Sequence, residues 1–350
     1  MASFNHESAA TQRDQVFSIL DEHLGKLSNN LGTFLSVLIP FAGTSACGIS
    51  ELSLGNGERL MLATPLPPQK QMTGMLGHPV AENPIDRMFD AVYAHYGLHW
   101  QFWKCDVVSE KEVAAAIAGV RALGFVGACI TVPYKVASIP CLDEVDEDVR
   151  AIGAANYMTI ENGRLVGHNN DGKGVVKAIE KVTPIRGKRV AMLGAGGAGR
   201  AMAVELAWAG ASHMTIITRR ESQGVEVAEL VQRASGVPAE WRQWVGEVTI
   251  PEGTQILMNA THLGCAPDFA PVPVNWSSIP STTTVVDVIT NPRITPFLQM
   301  AQAKGCAVVD GVEMLVQLAM QIFEAWTGIK PEESVFQGAV AEALGESKSS

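Results

Sequence analysis

The sequence predicts an α/β protein: an N-terminal α/β lobe and a Rossmann-type doubly wound parallel sheet. Three observations predict it. Short apolar runs alternate with helical patterns from about residue 72 to 311, which is the rhythm of strand–helix–strand units. A glycine cluster, Gly194-Ala195-Gly196-Gly197-Ala198-Gly199, stands between an apolar run (Val190-Ala191-Met192-Leu193) and a helical pattern (Arg200 to Ala207). An apolar stretch with helical spacing, Glu313 to Trp326, follows the last predicted strand.

A length of 350 residues suggests about two domains. Residues 11–27 read as a helix, with Val16, Ile19, Leu20, His23 and Leu24 on one face. The apolar segment Leu31 to Ile49 is broken by Pro40, Gly43 and Gly48, too short and interrupted for a membrane span. Thr64-Pro65-Leu66-Pro67-Pro68-Gln69 is a stiff connector, so residues 1–71 are set apart as an extension whose role the sequence does not state. In the first lobe, residues 72–179, strands are expected at 73–76, 100–106 and 127–132, and helices at 84–97 and 109–123. A turn at 183–187 opens the second lobe, residues 180–312. Its strands are expected at 188–193, 213–218, 255–259, 284–288 and 306–309. Residues 313–350 return to the first lobe.

Composition narrows the class. The chain is 47% hydrophobic and 18% charged, with a net charge of −10. No basic stripe forms, so nucleic acid and anionic membrane are not expected partners. The six cysteines include no CxxC pair, and the first 15 residues lack a signal-peptide core. A reduced, cytoplasmic protein without disulfides is expected. The histidines show no ligand spacing with one another or with the cysteines, so no metal is expected.

Strand, glycine turn and helix in that order form the context of a dinucleotide-binding, Rossmann-type fingerprint. The glycines Gly194, Gly196, Gly197 and Gly199, with Ala198, permit a tight turn and close approach of backbone to a pyrophosphate, which the helix N-terminus attracts. The following strand ends in Thr218-Arg219-Arg220-Glu221. An acid at this point suits the ribose hydroxyls of NAD, and arginine suits the 2′-phosphate of NADP. The reading favours NAD and keeps NADP open.

Two upstream segments carry the chemistry. Lys135 follows the buried run Ala128-Cys129-Ile130-Thr131-Val132-Pro133, and Asp171 closes the polar run Gly167-His168-Asn169-Asn170. Oxidising an alcohol with a nicotinamide removes a proton from oxygen, and a Lys–Asp pair supplies the base.

These segments resemble the shikimate/quinate dehydrogenase family. The resemblance extends over about Met72 to Gly328 and includes residues 131–135, 151–156, 167–174, 194–199, 259–264, 287–295 and 310–316. It implies two α/β domains with a cleft between them, that Lys135 and Asp171 are the catalytic pair, and that Thr131 and Asn156 contact substrate. It also implies that Asn259, Thr261 and Gly311 lie near the nicotinamide. The chain departs from the family at the substrate carboxylate. The family's loop carries His-Ser-x-Ser-Pro, whereas this chain reads Gly77-His78-Pro79-Val80-Ala81-Glu82-Asn83-Pro84. Both serines are missing; Glu82 and Asn83 stand in the loop and, with Gln317, are the expected substrate contacts in their place. The family's tyrosine is Thr290. Its glutamine is Leu318, with Gln317 adjacent but rotated by about 100° on a helix. Its asparagine is Cys129, and its threonine is Asn170.

The expected function is an NAD(P)-dependent oxidoreductase for a cyclic or polyhydroxy secondary alcohol and its ketone, with a divergent, small-molecule substrate. Two alternatives are an orthodox shikimate/quinate dehydrogenase and a non-catalytic dinucleotide-binding regulator. A homodimer is the assembly to test.

Overall fold

The computed structural model describes residues 49–53, 59–63 and 69–345. The chain divides into two compact units, Met1–Pro67 and Pro68–Ser350. In the first unit, β1 (Ile49–Ser53) pairs antiparallel with β2 (Arg59–Ala63). The helix expected over 11–27 lies outside the described residues.

The second unit opens with β3 (Gln71–Gly77), whose last five residues are all buried. It is an inner strand, parallel to β4 (Trp100–Asp106) and β5 (Phe125–Ile130). Strands covered on both faces read as continuous apolar runs. Between β3 and β4 runs α1 (Ile85–His95), which buries Ile85, Met88, Phe89, Val92 and Tyr93. That is the i, i+3, i+4, i+7, i+8 stripe of a helix with one core face. α2 (Val113–Ala122) joins β4 to β5.

The next segment adds strands to those expected from the sequence. β6 (Glu144–Val145) and α3 (Glu147–Ile152) lead into a hairpin of β7 (Tyr157–Glu161) and β8 (Arg164–His168). Its two-residue turn, Asn162-Gly163, has positive φ at both positions, 52° and 78°, as the turn that matches strand twist requires. β7 runs antiparallel to β5. The first sheet is therefore mixed, in the order β4-β3-β5-β7-β8-β6.

α4 (Asp171–Glu180) crosses to a second sheet. β9 (Arg189–Leu193), α5 (Gly197–Trp208), β10 (His213–Thr218), α6 (Glu221–Ser235) and β11 (Ala239–Gln243) wind one way. β12 (Ile256–Asn259), β13 (Thr284–Asp287), α7 (Pro296–Ala303) and β14 (Ala307–Val309) wind the other. All neighbours are parallel, in the order β11-β10-β9-β12-β13-β14. The order reverses between β9 and β12, and ligands of such sheets sit at the carboxyl ends of the strands there.

α8 (Gly311–Thr327) and α9 (Glu333–Ala343) complete the unit. Trp326 of α8 donates to the Met158 carbonyl on β7 at 3.1 Å. One core runs from Phe89 through Phe323 to Met202 and Val204. Phe89 is its aromatic hub, stacked on Phe102 at 5.0 Å and edge-on to Phe336. Among the described residues, no helix is long and apolar enough to cross a membrane.

The start of α4 lies hard against α5. A Cβ on Gly172 would come within 2.4 Å of Glu205 Cγ and 2.6 Å of the Ala201 carbonyl. Glu205 is only 9% exposed, and among the described residues its Oε1 has no hydrogen-bond partner. Burial pushes this carboxyl up to about 7, with Lys173 opposing and Asp148 reinforcing the shift.

A carboxyl raised in the folded state contributes its stability below its unfolded pKa and loses it as pH rises through the folded one. For Glu205 that window runs from 4.5 to about 7. We expect Glu205→Gln to match the wild type near pH 4. Near pH 8 it should be more stable by up to about 3 kcal/mol. Urea unfolding at both pH values checks this, and equal stability near pH 8 would contradict it.

Candidate active site

The chain leaves β5 at Ile130 and turns through Thr131-Val132-Pro133-Tyr134 to Lys135. Thr131 N–H donates to the Leu76 carbonyl at 2.9 Å. Tyr134 Oη anchors to the Val107 carbonyl at 2.5 Å. The Lys135 carbonyl accepts from Ala155 N at 2.7 Å. These contacts fix the backbone from which the lysine reaches across.

Lys135 is 8% exposed and Asp171 4%. Lys135 Nζ donates to Asp171 Oδ2. Asp171 Oδ1 accepts from Asn156 Nδ2 at 3.1 Å, and Asp171 N–H donates to Asn169 Oδ1 at 3.1 Å. Asn156 Nδ2 also donates to Asn170 Oδ1 at 2.8 Å, while its own Oδ1 accepts from Asn170 N–H at 2.9 Å. Asn170 Nδ2 then donates to the Leu318 carbonyl on α8 at 2.9 Å. Asn156 therefore faces the site with its amide hydrogens already committed to holding Asp171 and its neighbour. An ammonium carries three donors, so Lys135 keeps two beyond its bond to the aspartate.

A cavity of about 210 Å3 opens over this pair. Its polar lining includes Asn83, Thr131, Lys135, Asn156, Asp171 and Thr290, and Leu318 and Met75 contribute to its apolar wall. Gly311 also lines it. Two expected substrate residues do not. Glu82 is exposed and outside the lining. Gln317 is buried one helical step from Leu318, with its Nε2 on Glu313 Oε1 at 3.2 Å. The rotation between neighbouring helix positions turns it away.

A second cavity, of about 540 Å3, lies at the carboxyl ends of β9, β10 and β12. It is lined by Gly194, Gly196, Gly197, Ala198 and Gly199, by Thr218, Arg219 and Arg220, and by Thr261. Ala198 and Val288 line both cavities, so the two adjoin. Gly194 has φ 102°, and a Cβ there would meet the Ala260 carbonyl at 2.8 Å. A Cβ on Gly197 would lie 3.1 Å from Lys135 Cβ, so the glycine turn touches the catalytic candidate. Gly196 caps α5 without a side-chain bond, and nothing lies within 4 Å of where its Cβ would be. Free first-turn N–H groups beside open space suit a pyrophosphate. Among the described residues, the Arg219 and Arg220 guanidiniums have no ion-pair partner. The donors and the open cradle fit a dinucleotide.

Three expected cofactor residues lie outside this lining: Gly311, which lines the smaller cavity instead, Glu221 and Asn259. Glu221 is exposed at the start of α6. Asn259 is fully buried beneath the loop. Its Oδ1 accepts from Thr261 N–H and Oγ1, and its Nδ2 donates to the Leu263 carbonyl and to Asp287 Oδ1. It shapes the cavity wall from behind. Asp287 is pushed up to about 6 by burial, against hydrogen bonds from Thr295, Ile289 and Asn259. Sequence reasoning missed Gln223 and Trp244, which line the same cavity. Trp244 follows the edge strand β11, whose mixed sequence Ala-Glu-Trp-Arg-Gln gives little strand signal. Among the described residues, no group of three or more His, Cys, Asp or Glu side chains could hold a metal ion.

Asn259→Ala should cost about 2–4 kcal/mol, since it strips partners from the buried Asp287 and from the loop. It should also weaken dinucleotide binding severalfold. Thermal unfolding and titration calorimetry check both, and an unchanged affinity would detach Asn259 from the wall's shape.

A family model described as the shikimate dehydrogenase substrate binding domain matches residues 75–158. The shikimate dehydrogenase (NADP(+)) of Moorella thermoacetica is 36% identical over 282 residues, 79% of this chain and 94% of that protein. A ligand-free 5-ketofructose reductase of Gluconobacter sp. strain CHM43 superposes with a TM-score of 0.73 at 40% identity, over 78% of this chain and 99% of that one. Quinate dehydrogenase from Corynebacterium glutamicum, in complex with NAD, gives 0.72 at 26% identity, over 78% and 99%.

Proposed function

The chain belongs to the shikimate dehydrogenase family, and from that premise we propose that it interconverts a carboxylate-free polyhydroxy secondary alcohol and its ketone. It is an NAD(P)-dependent enzyme of the alcohol dehydrogenase type. The observation that carries the substrate reading is the lining of the smaller cavity. The family's carboxylate-holding serines are replaced there by a loop bearing Asn83, and Thr290 and Leu318 complete the altered wall. The sole cation of the lining among the described residues is Lys135, which is paired with Asp171. A substrate carboxylate would be desolvated with no charge of its own to meet, a cost of about 1–3 kcal/mol or more. A neutral polyol meets donors and acceptors of its own kind. The likeness to a 5-ketofructose reductase supports the same reading.

The first lobe with residues 313–350 serves the substrate, and residues 180–312 serve the dinucleotide. When bound, the nicotinamide supplies the hydride acceptor or donor. Lys135 sits within reach of the reacting oxygen. In oxidation its amine form takes the hydroxyl proton as the C–O bond becomes a carbonyl. In reduction the ammonium returns a proton to the forming alcohol. Asp171 orients the ammonium and stabilises its charge, while Asn156 and Asn169 orient Asp171. Thr131 stands at the same mouth as a hydrogen-bonding neighbour. Arg219 and Arg220 line the larger cavity and Glu221 does not, so these two guanidiniums would hold a 2′-phosphate with no carboxylate from Glu221 in the lining. This supports use of NADP(H) alongside NAD(H).

Lys135→Met is expected to lower kcat by about 10²–10⁴ while leaving dinucleotide affinity near normal. An unchanged kcat would remove Lys135 from the scheme. Wild-type kcat/KM for 5-ketofructose is expected to exceed that for shikimate or quinate by at least about tenfold. The reverse order would restore the ordinary substrate of the family.

A further inference from the structure

We propose that Lys104, which lies outside the substrate cavity, is a positioning residue. It holds Asn83 as a one-way hydrogen-bond donor, so that this end of the cavity selects a neutral oxygen. The inference rests on the carboxylate-free reading above and names the device that enforces it.

Lys104 projects from the edge strand β4 towards the loop between β3 and α1. Its ammonium donates to the Ala81 carbonyl at 2.8 Å and the Asn83 carbonyl at 3.1 Å. It also pairs with Asp86 Oδ2, on the first turn of α1, at 3.2 Å. Two hydrogens and the charge are thus spent within the protein. A cation committed in this way braces the loop and is not available to a substrate carboxylate.

The brace has a consequence for Asn83. Its Oδ1 accepts from Ile85 N–H at 3.0 Å, closing an Asx turn at the start of α1. Its Nδ2 has no partner among the described residues, and Asn83 lines the cavity. With the oxygen tied to backbone, the amide cannot flip to present an acceptor without breaking that bond. The cavity therefore meets an N–H donor of fixed direction and no formal charge. A hydroxyl or carbonyl oxygen satisfies it.

Lys104→Met keeps the length of the side chain and removes the donors. KM for 5-ketofructose is expected to rise roughly five- to twentyfold, the worth of about one misplaced hydrogen bond, with kcat within about twofold. Lys104→Arg, which keeps charge and donors, should bring KM back to within about threefold. Asn83→Asp, which replaces the donor with a carboxylate, should lower kcat/KM by at least about tenfold. Hydrogen exchange at the amides of residues 81–86 reads the brace without any substrate, and Lys104→Met should speed it at least about fivefold. Unchanged exchange there, or an unchanged KM on whichever substrate the wild type prefers, overturns the role of Lys104. A Lys104→Arg variant as impaired as Lys104→Met overturns it as well. A wild type that prefers shikimate overturns the substrate reading instead, and the exchange result then stands by itself.

Discussion

A charged pair taken out of water has to be held from several sides, and the ion pair between Lys135 and Asp171 imposes that demand on the rest of the fold. Desolvating two charges is costly unless the remaining donors and acceptors are met. Here two consecutive asparagines before α4 and one asparagine before β7 meet them. Asn156 serves both Asp171 and Asn170, Asn169 takes the Asp171 N–H, and Asn170 reaches α8. The antiparallel hairpin of β7 and β8 places Asn156 and Asn170 side by side, since β7 begins just after the one and β8 ends just before the other. Without the hairpin the aspartate would have no fixed carrier.

The same pair must also meet the dinucleotide side. Closeness is achieved by glycine rather than by reach. Gly197 lets the turn after β9 touch Lys135, and Gly172 lets the first turn of α4 lie on α5. The Gly172 contact ties the helix that starts at Asp171 directly to the helix that starts at the glycine turn, and the Gly197 contact ties that turn to Lys135, the partner of Asp171. Because well-packed interiors tolerate little added volume, these positions fix the distance between the aspartate and the larger cavity. The buried carboxyl of Glu205 lies on the same seam, and its Oε1 has no hydrogen-bond partner among the described residues.

Much of this was legible in the sequence. The strands of the second sheet, the glycine turn, Lys135 and Asp171 all stand where local pattern puts them, because a parallel strand buried on both faces and a phosphate-binding turn each have strong local signatures. The hairpin was also signalled, by Asn162-Gly163 between two short alternating runs, but the helical rhythm on either side masked it. The polar edge strand β11 carried no comparable signal, and the tryptophan that follows it went unread. Glu82 and Gln317 show the limit of adjacency. Each is next to a residue that lines the cavity, and each points elsewhere, because one step along a loop or helix turns a side chain out of the site.

The sequence by itself determined the fold class and the glycine turn after β9, and it singled out Lys135 and Asp171 as the pair proposed for proton transfer, since these follow from periodicity, glycine placement and short motifs. Only the tertiary structure decided what each polar group is free to do. Asn156 and Asn259 turn out to be committed to the protein, Asn83 has one end tied and one end open, and Lys104 enters from a distant strand. Hydrogen bonds are saturable and directional, and whether a donor is spent or spare depends on partners brought together from far along the chain.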